Sequence, residues 1–143
     1  MENFPETIKD FLDGQIFLIN KPLGWTSFDV VKKIKNLIRT KYSLRKLKVG
    51  HAGTLDPLAS GLLIVCTGKF TKRISEFQGQ AKIYTGDITL GGTTPSYDLE
   101  TEIDAKFETN HISETLIKET TAQFTGEIDQ KPPIFSALKR GGE

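Results

Sequence analysis

Apolar residues along this chain follow two spacings, and the spacings separate strands from helices. Gln15 to Ile19 is a short apolar-rich run that follows Gly14 and is broken by Lys21-Pro22-Leu23-Gly24, which reads as a strand. Val30, Val31, Ile34, Leu37 and Ile38 recur at helical spacing and predict one buried stripe on a helix capped by Thr26 or Ser27. Asp29 in its first turn, and Arg39 with Lys41 near its end, complement the helix dipole. Lys32, Asn36 and Arg39 fall on the opposite, wet face. Leu62 to Cys66 is an unbroken apolar run, which implies cover on both faces and therefore a central strand.

Beyond it, Gly68 to Arg73 is a basic turn, followed by a short amphipathic segment to Phe77. Lys82 to Leu90 alternates, with Tyr84, Ile88 and Leu90 on one face and Ile83, Asp87 and Thr89 on the other, which predicts a strand ended by Gly91-Gly92. Ser113 caps a second helix through Phe124, with Ile112 and Ile117 spaced as a hydrophobic staple and Gly126 as its stop. Gly126 to Gln130 reads as a short strand before Pro132-Pro133. Strands alternating with two clear helices predict a mixed α/β domain of the α+β type. There is no internal repeat, low-complexity tract or linker, so residues 14–143 read as one domain behind an N-terminal extension, 1–13.

Composition narrows the class. At 143 residues, 37% hydrophobic and 26% charged, the chain reads as soluble and globular, long enough for a core without staples. The single Cys, Cys66, excludes an internal disulfide framework and fits a reducing cytoplasm. Met1 to Asp13 carries four acids and one Lys and no apolar signal region, and no stretch reaches the roughly 18 apolar residues of a membrane helix. The net charge of +1 conceals a segregation. From Lys21 to Lys82 there are 13 Lys/Arg against 3 Asp/Glu, whereas Asp98 to Asp129 holds 9 acids and 2 bases. Lys32 to Lys48 alone has 8 bases and no acid, a pattern that suits either a polyanion or a solvated helix face and its loop.

Candidate chemistry gathers in Lys48-Val-Gly-His-Ala-Gly-Thr-Leu-Asp-Pro-Leu-Ala-Ser-Gly61, where Asp56 sits in a glycine-punctuated loop that runs into the apolar strand. Asp-Pro also starts ordinary turns, but His51 lies five residues upstream, and Lys48, Lys69, Lys72 and Arg73 supply positive charge to the same rim. Tyr84, beside Lys82, offers a planar face. A carboxylate, an aromatic stacker and phosphate-binding cations together describe a site for a base taken out of its helix. Other chemistries fail on inventory. A glycosidase needs two carboxylates, two histidines and one Cys are too few for an ordinary zinc site, and neither GxxxxGK[ST] nor GxGxxG occurs. No cofactor or metal is expected.

These residues resemble the TruB family of tRNA pseudouridine synthases. The resemblance is carried by Lys21-Pro-Leu-Gly-Trp-Thr-Ser27 and by Gly50-His-Ala-Gly-Thr-Leu-Asp-Pro-Leu-Ala-Ser-Gly61. Cys66-Thr-Gly-Lys-Phe-Thr-Lys72, Lys82-Ile-Tyr84, Leu90-Gly-Gly-Thr-Thr94 and Pro133-Ile-Phe-Ser-Ala-Leu-Lys139 follow in family order. It implies a pseudouridine-synthase-like fold with a long, largely antiparallel sheet flanked by helices, and an active cleft across one face. The implied activity is cofactor-free isomerisation of the T-loop uridine, conventionally numbered 55, in tRNA. Asp56 would be the nucleophile, His51 would fill space left by the flipped nucleotides, and Tyr84 would pack on the uracil from an adjacent strand. Lys21, Lys69 and Lys72 would orient the substrate or hold phosphate.

Family members continue with a basic thumb, a second half of the sheet that carries an arginine for the catalytic aspartate, and in some a C-terminal RNA-binding domain. The expectation is therefore an N-terminal portion of a catalytic domain, inactive alone and monomeric when complete, with the tRNA T-arm as partner and no membrane or nucleotide cofactor. Two rival readings are a T-loop-binding or RNA-folding module without catalysis, and an interaction domain that uses the acidic Asp98 to Asp129 segment.

Overall fold

A computed structural model describes Pro5 and residues 7–130 of the chain. They divide into two compact units, one reaching Ile83 and the other starting at Tyr84. Each is a mixture of helix and antiparallel sheet.

The first unit opens with helix α1 (Ile8–Asp13), started by a capping box in which Thr7 Oγ1 accepts the Asp10 amide and the Asp10 carboxylate accepts the Thr7 amide. Strand β1 (Ile16–Lys21) follows, then helix α2 (Ser27–Lys41), strand β2 (Val49–His51) and strand β3 (Gly61–Thr67). A 3-10 turn, Gly68–Arg73, passes directly into the short helix α3 (Ile74–Gln78). Among the described residues these strands form one antiparallel sheet in the order β1-β3-β2, in register from Ile16 opposite Cys66 to Lys21 opposite Gly61, and with His51 opposite Val65. The apolar run is thus the central strand. Its cover is complete only towards the C-terminal end, because Val65 and Cys66 are buried while Leu62 is exposed.

Thr26 is the cap of α2, and Asp29 completes a second capping box. Val30 and Val31 pack on Leu63 and Val65 of β3, with Phe17, Ile19, Ile34, Val49 and Leu55 around them. Each such aliphatic side chain contributes roughly 1.5–3 kcal/mol relative to exposure. A neighbouring cluster of Phe11, Ile38 and Leu47 shares Phe17, Ile34 and Val49 with the first. Two expectations shift here. Leu37 leaves the buried stripe at 58% exposure, because the face of α2 against the sheet is narrower than the apolar pattern. Within the segment read as an extension, α1 is anchored in the core by Phe11, whose ring lies 6.2 Å from that of Phe17.

The second unit holds strands β4 (Gly92–Thr93) and β5 (Ala105–Lys106), paired antiparallel, and helix α4 (Glu114–Ala122) capped by Ser113. The predicted strand over Lys82–Leu90 is not formed: residues 81–89 carry no regular structure and all are exposed. No partner strand lies against them among the described residues, and alternation without a ladder leaves the backbone to water. Helix α4 stops at Ala122, and its last turn tightens through bonds from Gln123 N to Thr120 O and from Phe124 N to Thr121 O. Gly126–Gln130 likewise forms no strand. The Pro133–Lys139 motif lies outside the described residues.

Candidate active site

Asp56 is an exposed residue on the loop between β2 and β3, and its two chain neighbours are pinned. On one side Ser27 Oγ, 3% exposed at the start of α2, accepts the Leu55 amide at 2.9 Å and donates to the Leu55 carbonyl at 3.2 Å. The Leu55 side chain also packs against the Val30–Val65 core. On the other side the Gly24 amide donates to the Pro57 carbonyl at 2.8 Å. The Asp56 carbonyl accepts from Ala59 N at 3.0 Å and closes the turn over Pro57-Leu58. The carboxylate is left open to solvent on a backbone that is not free to swing.

Lys21 explains why Gly24 is in place. This side chain is 0% exposed, and its ammonium donates to the carbonyls of Trp25 at 2.6 Å and Pro22 at 3.1 Å. A buried ammonium requires such acceptors, and here both come from the Pro22–Trp25 loop that presents the Gly24 amide to Pro57. Lys21 thus positions the Asp56 loop. The phosphate contact expected of it does not fit a buried, carbonyl-bound ammonium.

His51 ends β2, half-buried, and its Nδ1 donates to the Gly53 carbonyl. A carbonyl can only accept, so Nδ1 carries the proton of that bond. Gly53 has φ +115°, a conformation that side-chain-bearing residues rarely adopt, and it lets the carbonyl turn back onto the ring.

Lys69 and Lys72 are elsewhere. They lie on the 3-10 turn beyond Thr67, whereas the Asp56 loop enters β3 at Gly61. Six strand steps separate Gly61 from Thr67, which amounts to about 20 Å at the strand rise. The placement beside Asp56 that their sequence order suggests is therefore not found. Lys69 pairs with Asp13 at 2.7 Å. The Asp13 carboxyl is lowered to about 2 by hydrogen bonds from Lys69 and Lys9. Lys72 lines a basic cleft. Tyr84 is 73% exposed at the head of the second unit and lies on no strand. Sequence reasoning passed over Ser27 and Gly24 as parts of the site; the signal available was their place in the same short motif as Lys21.

Burial pushes the Cys66 thiol up, which makes it a packed hydrophobe and not a nucleophile. Among the described residues no group of three metal-ligating side chains forms, and no helix is long and apolar enough to cross a membrane.

Residues 37–143 match the TruB family pseudouridylate synthase (N terminal domain). The chain belongs to the TruB family. It is 65% identical over 137 residues to the tRNA pseudouridine synthase B of Flavobacterium johnsoniae, covering 95% of this chain and 60% of that relative. To the tRNA pseudouridine synthase B of Parabacteroides distasonis it is 55% identical over 134 residues, covering 94% and 57% respectively. The protein of the same name from Bacteroides fragilis is 56% identical over 133 residues, covering 93% and 57%. The chain thus spans somewhat more than half the length of these curated TruB-family relatives.

Proposed function

We propose that this chain is the nucleophile-bearing part of an enzyme that isomerises the T-loop uridine at position 55 of tRNA to pseudouridine. The observation that carries the reading is the open Asp56 carboxylate on a loop held at Leu55 and Pro57. Relatives named tRNA pseudouridine synthase B, at 55–65% identity, supply the substrate class.

The chemistry asks for little beyond such a loop. An aspartate attacks as the anion. Asp56 captures one fragment as the bond from C1′ to N1 breaks, at either C1′ of the sugar or C6 of the base. The uracil turns, C5 takes the place of N1 on C1′, the bond to Asp56 breaks and returns the carboxylate, and the proton leaving C5 balances the one gained at N1. No atom is gained or lost, so no cofactor enters. Eversion costs a few kcal/mol of stacking, which a bent loop forfeits more readily than a duplex. The His51 ring supplies replacement stacking of roughly 1–3 kcal/mol per base.

Because C5 loses its hydrogen, tRNA tritiated at that carbon reports the reaction as label released to water. The protein carrying this chain at the length of its relatives is expected to release label from position 55. Asp56→Asn should stop release while RNA affinity stays within a few-fold. Release by Asp56→Asn at the unaltered rate would exclude the nucleophile role, and RNA binding without release by the unaltered protein would leave a binding module.

A further inference from the structure

Three large apolar side chains face water around the Asp56 loop. Leu23, Phe28 and Leu58 are 64%, 67% and 49% exposed, and none belongs to either buried cluster. Each is one residue from a point where that loop is pinned. Leu23 precedes Gly24, whose amide meets the Pro57 carbonyl at 2.8 Å. Phe28 follows Ser27, whose hydroxyl holds both backbone groups of Leu55. Leu58 follows Pro57 inside the turn that the Asp56 carbonyl closes with Ala59 N. Counted through these bonds, all three backbones stand within about 12 Å of the Asp56 Cα.

Their backbones are held as firmly as that of the carboxylate. Leu23 sits in the loop that the buried Lys21 ammonium gathers through the Pro22 and Trp25 carbonyls. Phe28 lies in the first turn of α2, behind the Thr26–Asp29 capping box. Apolar side chains grouped on fixed backbone and left in water form a contact surface for something flat and apolar. A segment of protein laid over all three would also cover Asp56 and close the site. The occupant that leaves the proposed chemistry intact is the substrate.

We infer that Leu23, Phe28 and Leu58 form an apolar rim that takes the open faces of the bases next to the nucleotide presented to Asp56. The inference deepens the function proposed above and rests on RNA being the substrate. Everting one nucleotide strips its neighbours of a stacking partner. Loop bases already splayed apart offer those faces, whereas paired bases in a duplex keep them stacked. The rim selects loop over helix by shape and apolar contact. It carries no charge, so its contribution does not depend on released counterions.

The test compares two RNAs bound by the protein carrying this chain at the length of its relatives, with Asp56→Asn in every sample so that binding is read without turnover. One RNA is the T-arm stem-loop, and the other is the same strand paired throughout with its complement. A triple variant, Leu23→Gln, Phe28→Gln and Leu58→Gln, should bind the stem-loop at least about 5-fold more weakly, the loss of one base contact. Its affinity for the duplex, and its slope of log K against log salt, should stay as they are. Leu58→Gln alone, in a surface turn, should show the same selective loss at a smaller size. Leu37→Gln, at an exposed position ten residues beyond Ser27 on α2, should change neither affinity. Unchanged stem-loop affinity in the triple variant, an equal loss on the duplex, or an equal loss in Leu37→Gln overturns the rim. A thermal midpoint that falls while stem-loop affinity holds assigns the three side chains to packing within the protein, and overturns it too. Pseudouridine formation is read separately, as tritium released with Asp56 intact, so the rim and the reaction can fail independently.

Discussion

Ser27 and Leu55 exchange two hydrogen bonds, with the serine oxygen accepting the Leu55 amide and donating to the Leu55 carbonyl. One side chain at the first turn of α2 therefore satisfies both backbone groups of the residue that precedes Asp56. Secondary structure offers Leu55 neither partner, because it lies between strands.

Ser27→Ala leaves that amide and carbonyl unpaired in a half-buried place, at a cost of about 1–3 kcal/mol. The urea midpoint should fall accordingly. Amide exchange at Leu55 should accelerate more than exchange at Leu63 in the core of β3. In the protein at the length of its relatives, tritium release should fall more than RNA affinity, since the loop would be looser while the binding surface stays whole. A variant with native stability and native exchange at Leu55 would remove the clamp from the account.

Lys21 tests positioning against phosphate contact. Lys21→Met keeps the length of the side chain and removes the donors to Trp25 and Pro22. Stability should drop by about 1–3 kcal/mol, and the Gly24 amide should lose protection. The salt slope of RNA binding should not change, because the ammonium is sealed from solvent. A slope lower by about one would instead make Lys21 a phosphate ligand.

How far the sequence spoke depended on whether the deciding interaction was local. The start of α2 needs only a few consecutive residues, and the sequence narrowed its cap to Thr26 or Ser27, of which Thr26 is the one formed, with Asp29. So was the central strand, because the run from Leu62 to Cys66 leaves no polar face to turn outwards. The Thr7-to-Asp10 capping box carried the same kind of signal, but it sits in a segment whose acids drew attention to charge instead. The strand expected around Tyr84 failed for the opposite reason. Its alternating segment reads as a strand, yet a strand is completed by a neighbour that no local pattern specifies. The Lys69 and Lys72 positions required knowing that a seven-residue strand intervenes and points away. The burial of Lys21 required two carbonyls that only the folded loop brings together.

Asp13 contributes to the acid limb of stability. Hydrogen bonds from Lys69 and Lys9 hold its carboxyl at about 2, against an ordinary value of 3.8. A carboxyl depressed in the folded state binds its proton more readily when unfolded, so its contribution is complete above the unfolded value. The contribution is then lost as pH falls from about 4 towards about 2. Asp29 and Asp98 are also lowered, by hydrogen bonds from Thr26 and Ser96 first, so the whole molecule weakens over this range. The part due to Asp13 emerges by difference. The thermal midpoint of the unaltered chain should exceed that of Asp13→Asn by a constant margin above about pH 4, and the margin should close as pH approaches 2. Raising salt should shrink it at neutral pH, since the carboxylate and both lysines face water. A margin that holds unchanged down to pH 2 would mean that the tie between α1 and the turn after β3 does not depend on the carboxylate's charge.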